Sequence, residues 1–328
     1  MKFKNLLLCV LSLYLCSCAM VSLKPQDTRE YIMSKRADVL TEKHLSASTM
    51  EIVGVVAKSR RECEKQIADC IQTIEKVGLP QQSSTYLAAM SELWLYQAQK
   101  LQKEENQVEA YHDALMKSAR YAYAYLFYGA TPINQRVLDN RQMQVADYYN
   151  YAVQTFVNEN FNRYTNAEIE ASSEHGQVHI GEWKLHSDLS QMHLPQNRAL
   201  PDHLIAATQL RFQGLRNVSQ RDGFGAELVS VIDEDKQEQN QSNFSEMNAS
   251  PATVLIHFKG KDLDEVLRSH DVVIQGMDPF SHETVTVNQQ TVPLAANFTG
   301  AYGVWLANSG FARQSLKTLL GKDGGIEH

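Results

Sequence analysis

The sequence predicts an α+β fold, with helices first and strands second. Two observations carry this. Residues 84–157 repeat apolar side chains at the three-and-four spacing of amphipathic helices. From about Asp202 the pattern changes to short β-branched runs bounded by turn residues.

Before the helices comes an export signal. Lys2 and Lys4 form a positive start, and Leu6 to Leu15 is a nearly unbroken apolar run. Spanning a bilayer takes roughly 20 helical residues, so the run is too short to cross and fits a secretory signal. It ends at Leu15-Cys16-Ser17-Cys18. A Leu three residues before a Cys, with a small residue between them, resembles the lipobox of bacterial lipoproteins. That resemblance implies cleavage before Cys18 and acylation of its thiol. Ala19 follows, where an Asp would redirect sorting, so the resemblance implies the outer membrane with the body facing the periplasm. Acyl chains contribute about 0.8 kcal/mol per buried CH₂, and two or more anchor stably.

With seventeen residues removed from the 328, 311 remain, room for two ordinary domains. A hydrophobic fraction of 43% and a mean hydropathy of −0.36 describe a folded, non-polytopic chain. Without Lys2 and Lys4 the body has 29 basic against 38 acidic residues. A nucleic-acid surface is basic, so nucleic acid is not an expected partner. Cys9 and Cys16 leave with the signal and Cys18 is the lipid attachment site, which leaves Cys63 and Cys70. An even pair in an oxidising compartment suggests a disulfide; the alternative is two buried free thiols. Seven residues of continuous helix span about 10.5 Å, and a disulfide needs Cα atoms within roughly 7 Å. A bridge therefore requires a bend between Glu64 and Asp69. No set of Cys remains for a zinc site, and no cofactor is expected.

The expected organisation is a signal peptide over 1–17, anchor and tether over 18–26, and a helical domain over 27–164. A connecting region follows over 165–200, then a β-rich domain over 201–322 and a tail over 323–328. Asp27 and Thr28 can cap a first helix through about Leu40. Residues 84–102 place Leu87, Met90, Trp94, Ala98 and Leu101 on one face. Residues 107–128 do so with Val108, Tyr111, Leu115, Ala119, Ala122 and Leu126, and Gly129 stops the helix. Residues 142–157 repeat the pattern with Val145, Tyr148, Tyr149, Ala152, Val153 and Phe156. Small Ala beside large Tyr suggests tetratricopeptide-like antiparallel hairpins, although no regular 34-residue period can be laid over them. The run Tyr121, Tyr123, Tyr125, Phe127, Tyr128 covers every side of its helix, either as a binding groove or as a helix packed on several faces.

The connecting region contains His175, His179, His186 and His193. His175 and His179 have the spacing of a helical metal pair, but Val178 and Ile180 suggest a strand. On a strand, residues four apart lie about 13 Å from each other, too far for one ion. Strands are expected at 210–212, 228–231, 254–258 and 272–274. A hairpin is expected at Thr284–Val287 and Thr291–Val292 around Asn288-Gln289-Gln290. Residues 233–250 read as a polar loop, Asp262 to Arg268 as a short helix and Pro293 to Asn308 as a longer one.

No Ser stands in a G-x-S-x-G turn, and Ser-x-x-Lys is absent. Arg221-Asp222-Gly223-Phe224-Gly225 lacks the third glycine of a dinucleotide loop and the Lys of a phosphate loop, and reads as a tight turn before a strand. Asp262, Asp264 and Glu265 read as a helix start, favoured by the helix dipole. No catalytic residue is assigned.

Five stretches are more specific: Lys35 to Thr41 (KRADVLT), Arg120 to Gly129 (RYAYAYLFYG), Gln144 to Ala152 (QVADYYNYA), Arg221 to Leu228 (RDGFGAEL) and Pro293 to Leu306 (PLAANFTGAYGVWL). Together, in this order, they resemble the N-terminal region of a family of bacterial α/β-hydrolase lipoproteins described as serine esterases or lipases. The resemblance implies that a hydrolase domain, with the nucleophile and oxyanion hole, follows these regions. This sequence reaches His328 about where that domain would begin, so no catalytic position of the family carries over. The expected function is the accessory, non-catalytic part of such a lipoprotein, inactive alone, with a hydrolase domain or another protein as partner. The alternative is a non-enzymatic periplasmic binding or scaffolding lipoprotein.

Overall fold

The computed structural model describes residues 37–77, 80, 83–104, 106–136, 139–163, 178–192, 200–210, 218–232 and 248–308. Cys18 and the signal lie outside them, as do His175, His193 and the polar loop after Asp233. The residues from Ala37 onward form one compact unit, of mixed α+β class. The described helices are α1 (Ala47–Val55), α2 (Arg60–Lys65), α3 (Ile67–Val77), α4 (Ser84–Leu101), α5 (Val108–Phe127), α6 (Asn140–Arg163), α7 (Leu263–Arg268) and α8 (Phe298–Asn308). No described helix is long and apolar enough to cross a membrane.

The strands of the main sheet are β1 (Val178–Ile180), β2 (Trp183–Gln191), β3 (His203–Ala206), β5 (Ala226–Val231), β6 (Ala249–Phe258) and β7 (Asp271–Met277). Between them β4 (Gln220–Arg221) pairs with β10 (Ala296–Asn297), and β8 (Thr284–Val287) with β9 (Gln290–Pro293). The main sheet runs β1-β2-β7-β6-β5-β3. Among the described strands of this sheet, only β2 and β7 are parallel neighbours.

The three long helices follow the expected apolar faces. Ser83 caps α4 by accepting the Tyr86 N–H at 3.1 Å. α4 and α5 run antiparallel, and Ser91 and Ser118 each donate a hydroxyl to the other's carbonyl (3.1 and 2.8 Å). α5 ends at Phe127. A methyl on Gly129 would come within 2.8 Å of the Tyr125 carbonyl. The orphan carbonyls at this end are met from afar: Asn288 and Gln290 donate to Phe127 (2.7 and 2.9 Å), and Arg136 donates to Tyr125 (3.0 Å). The two donors come from the expected β8–β9 hairpin. Its turn residues Asn288 and Gln289 take positive φ, as two-residue hairpin turns require.

Three local expectations change. The connecting stretch holds β1 and β2, because Trp183 and Leu185 alternate inward behind polar Lys184 and His186. At Val39 to Glu42 the chain is a turn and not the end of a helix. The Asp38 carboxylate accepts the Leu40 and Thr41 N–H groups, both at 3.0 Å, and so competes with helical bonding. The last helix begins at Phe298 and not at Pro293. β9 and β10 take the first residues, and Asn297 Oδ1 accepts the Gly300 N–H at 2.8 Å to open the helix.

Cys63 and Cys70 are bridged, with Cα atoms 5.2 Å apart. The break that allows this is at Gln66, whose φ of −125° and ψ of 60° separate α2 from α3. Lys100 Nζ sits against the Glu64 carbonyl exposed by the break.

Candidate functional site

The larger of two hydrophobic clusters runs through the helices and the sheet and includes the middle of α6; the smaller joins Val229 and Val231 to Ala301 and Val304 of α8. Tyr149 is fully buried there. Its hydroxyl donates to the Ile256 carbonyl and accepts the Ile256 N–H, both at 2.8 Å. Ladder pairing between β5 and β6 ends at Val254, so the phenol satisfies two backbone groups that would otherwise be buried unpaired. Asn150 grips the two-glycine turn: its amide donates to the Gly223 carbonyl (2.9 Å) and its oxygen accepts the Gly225 N–H (2.8 Å). The Phe224 ring between these glycines stacks on Tyr149 at 4.2 Å and meets Phe127 edge-on at 4.6 Å. Phe224 also exchanges backbone bonds with Pro293 (2.9 Å) and Ala295 (3.1 Å). One residue earlier, Tyr148 donates to Asp38 at 3.1 Å. The described parts of the five specific stretches thus converge on about one turn of α6. Acidic groups border this centre. The Asp147 carboxyl, which still reaches solvent, is pushed up to about 6 by burial first, then by Asp38 and Asp222. Burial also raises Glu227.

The aromatic run on α5 is core. Tyr123 alone contacts Phe127, Tyr128, Tyr149, His257 and Phe258. Of the histidines in the connecting region, His186 pairs with Asp271 at 2.9 Å and His179 is exposed on β1; His175 and His193 lie outside the described residues. No group of His, Cys, Asp and Glu among the described residues has the geometry to hold a metal. Asp262 caps α7 by accepting the Glu265 N–H at 2.8 Å, and Glu265 in turn accepts the Lys261 N–H. Ser230 is buried and donates to the Ser250 carbonyl at 3.1 Å. Ser281 donates to the Asp278 carboxylate at 2.7 Å, while His282 turns its Nδ1 to the Asp278 carbonyl. That hydroxyl proton serves the turn and is not offered to an imidazole.

An apolar concave feature lies elsewhere, where the C-terminal half of α6 crosses the sheet. A cavity of about 110 Å³ lies there, open on one side. Its floor is one sheet face: Leu185, Ser187 and Leu189 of β2, Ile274 of β7, Val254 of β6 and Leu204 of β3. Register puts them together, since Ser187 stands opposite Ile274 and Val254 opposite Gly276. α6 supplies Phe156, Val157, Asn160 and Phe161 as the roof. Gly276 shapes one wall. A methyl there would lie 2.3 Å from Met192 Sδ and 2.9 Å from Leu189 Cδ2, so its absence lets both side chains lie against the strand. Sequence reading missed the cavity because β2 lies in a polar, His-rich stretch. The alternation Trp183, Leu185, Ser187, Leu189 was the available signal, weakened by Ser187.

Comparison with protein-family models, curated proteins and solved structures finds no match to this chain.

Proposed function

We propose that the chain is the accessory, non-catalytic N-terminal part of a membrane-anchored, esterase-like lipoprotein, inactive alone. In this reading Cys18 tethers it to the outer membrane on the periplasmic side. The observation that carries the reading is the convergence on α6. Stretches that resemble the hydrolase lipoproteins are far apart in the chain, yet Tyr148 bonds Asp38, Asn150 bonds Gly223, and Phe224 both stacks on Tyr149 and bonds Pro293. A likeness carried by mutually dependent contacts supports a shared scaffold better than scattered identities would. We read the antiparallel α4–α5–α6 layer as tetratricopeptide-like hairpins that present this scaffold to a hydrolase domain or another protein.

The α6 cavity favours a second reading, a periplasmic binding lipoprotein, because a concave apolar site is the usual form of a ligand pocket. Both readings need the anchor. Replacing Cys18 by Ser is expected to abolish incorporation of radiolabelled palmitate and to move the protein from the membrane to the soluble fraction. Undiminished labelling of the variant would remove the anchor from either reading.

A further inference from the structure

We infer that the cavity between α6 and the sheet is a binding site for the end of an aliphatic chain, such as the tail of a fatty acid or of a lipid acyl group. The inference deepens the binding reading of the site and does not depend on the anchor.

The lining chemistry excludes water and charge. A trapped water needs two to four polar partners. Only Asn160 and Ser187 among the lining residues carry polar side chains, and the Asn160 amide already donates to the Phe156 carbonyl at 2.8 Å. The lining includes no Lys, Arg, His, Asp or Glu. A ligand's charged headgroup therefore finds no partner inside and stays in solvent, so recognition is of the chain alone. Cavities of roughly 150 Å³ lined by Leu, Ile and Phe stay dry and take up benzene. At about 110 Å³ this one suits the terminal part of an alkyl chain, with the remainder leaving by the open side. Ser187 is exposed and marks that mouth. An extended peptide fits less well. Across β2, β7 and β6 the floor is the face of paired strands under α6, which leaves no free backbone for a peptide there; the edge strands β1 and β3 contribute Val178, Ile180 and Leu204 to the lining.

The test uses the mature chain with Ser in place of the lipidated Cys18, titrated with cis-parinaric acid as a fluorescent fatty acid. Saturable binding that palmitate displaces is expected. Ser187→Phe, at an exposed strand position the fold tolerates, is expected to weaken binding at least about ten-fold by closing the mouth. Lys184→Phe, on the opposite face of β2, is expected to leave it unchanged. Gly276→Ala, which must displace Met192 and Leu189 off the sheet face, gives a second variant with the same expected direction. Displacement by phosphatidylcholine vesicles would assign the chain to membrane lipid, and displacement by palmitate alone to free fatty acid; either result sustains the inference. It is overturned by absent or non-saturable binding, by equal loss in the Lys184 variant, or by displacement with an apolar peptide and not with palmitate. Those failures would leave the palmitate labelling of Cys18 as it stands, so the two readings fail separately.

Discussion

Glu92→Ala is expected to destabilise the protein by about 3–5 kcal/mol, the usual cost of breaking a buried ion pair from one side. Glu92 is wholly buried on α4. Its carboxylate accepts the Ser46 N–H (2.7 Å), the Ser46 hydroxyl (2.6 Å), the Thr49 hydroxyl and Arg141 Nη1 (3.1 Å). These donors come from the start of α1 and the start of α6, so one side chain fastens three helices. Removing it takes the counter-charge from a mostly buried guanidinium, which keeps only neutral acceptors on Ser46, Thr49 and Gln144, and leaves the two hydroxyls without their acceptor. Glu92→Gln should also destabilise, because its amide nitrogen would face donors where an oxygen now accepts. Urea unfolding of the single variants, of Arg141→Met and of the Glu92→Ala/Arg141→Met pair checks this. The double variant is expected to lose clearly less than the two single losses added together. Strict additivity would mean that the pair does not act as a unit.

The second large effect is expected at Gly223. A methyl there would lie 2.6 Å from the Ala295 nitrogen and 2.6 Å from the Pro293 oxygen, both backbone atoms. These two atoms also hold Phe224 through its own carbonyl and N–H. No rotamer change can relieve the clash, so the two bonds and the grip of Asn150 must loosen together. A loss of about 3 kcal/mol or more is expected, seen as a fall of roughly 5–10 °C in Tm by calorimetry. A Gly223→Ala protein that melts with the parent would show that this close approach does not hold the turn.

The long helices were legible because their apolar period is a local property. Leu87 and Met90 reveal α4 without knowledge of its neighbours, as Val145, Tyr149 and Val153 reveal α6. The hairpin at Asn288-Gln289 was legible for the same reason. What joins these elements was not. Tyr149 reads as one more apolar position, yet its hydroxyl completes a sheet edge 107 residues away. Gly223 reads as a turn glycine, while its strict requirement comes from Pro293 and Ala295 across the fold. The break at Gln66 contains neither Gly nor Pro and was inferred only from the distance a disulfide tolerates. The cavity depends on register between β2, β7 and β6, which a single strand pattern with Ser187 in its middle does not specify.

In the function proposed above, this chain is an accessory or binding module and not itself the hydrolase. Acyl transfer needs an activated nucleophile, a base within reach and donors aimed at the oxyanion. Ser230 and Ser281, in the β-rich half, are engaged by the Ser250 carbonyl and the Asp278 carboxylate. The direct measurement is p-nitrophenyl butyrate hydrolysis by the purified mature chain. Release of p-nitrophenol at the rate of buffer alone is expected. Turnover well above buffer that one Ser→Ala change, at Ser230, Ser281 or elsewhere, abolishes without unfolding the protein would contradict it.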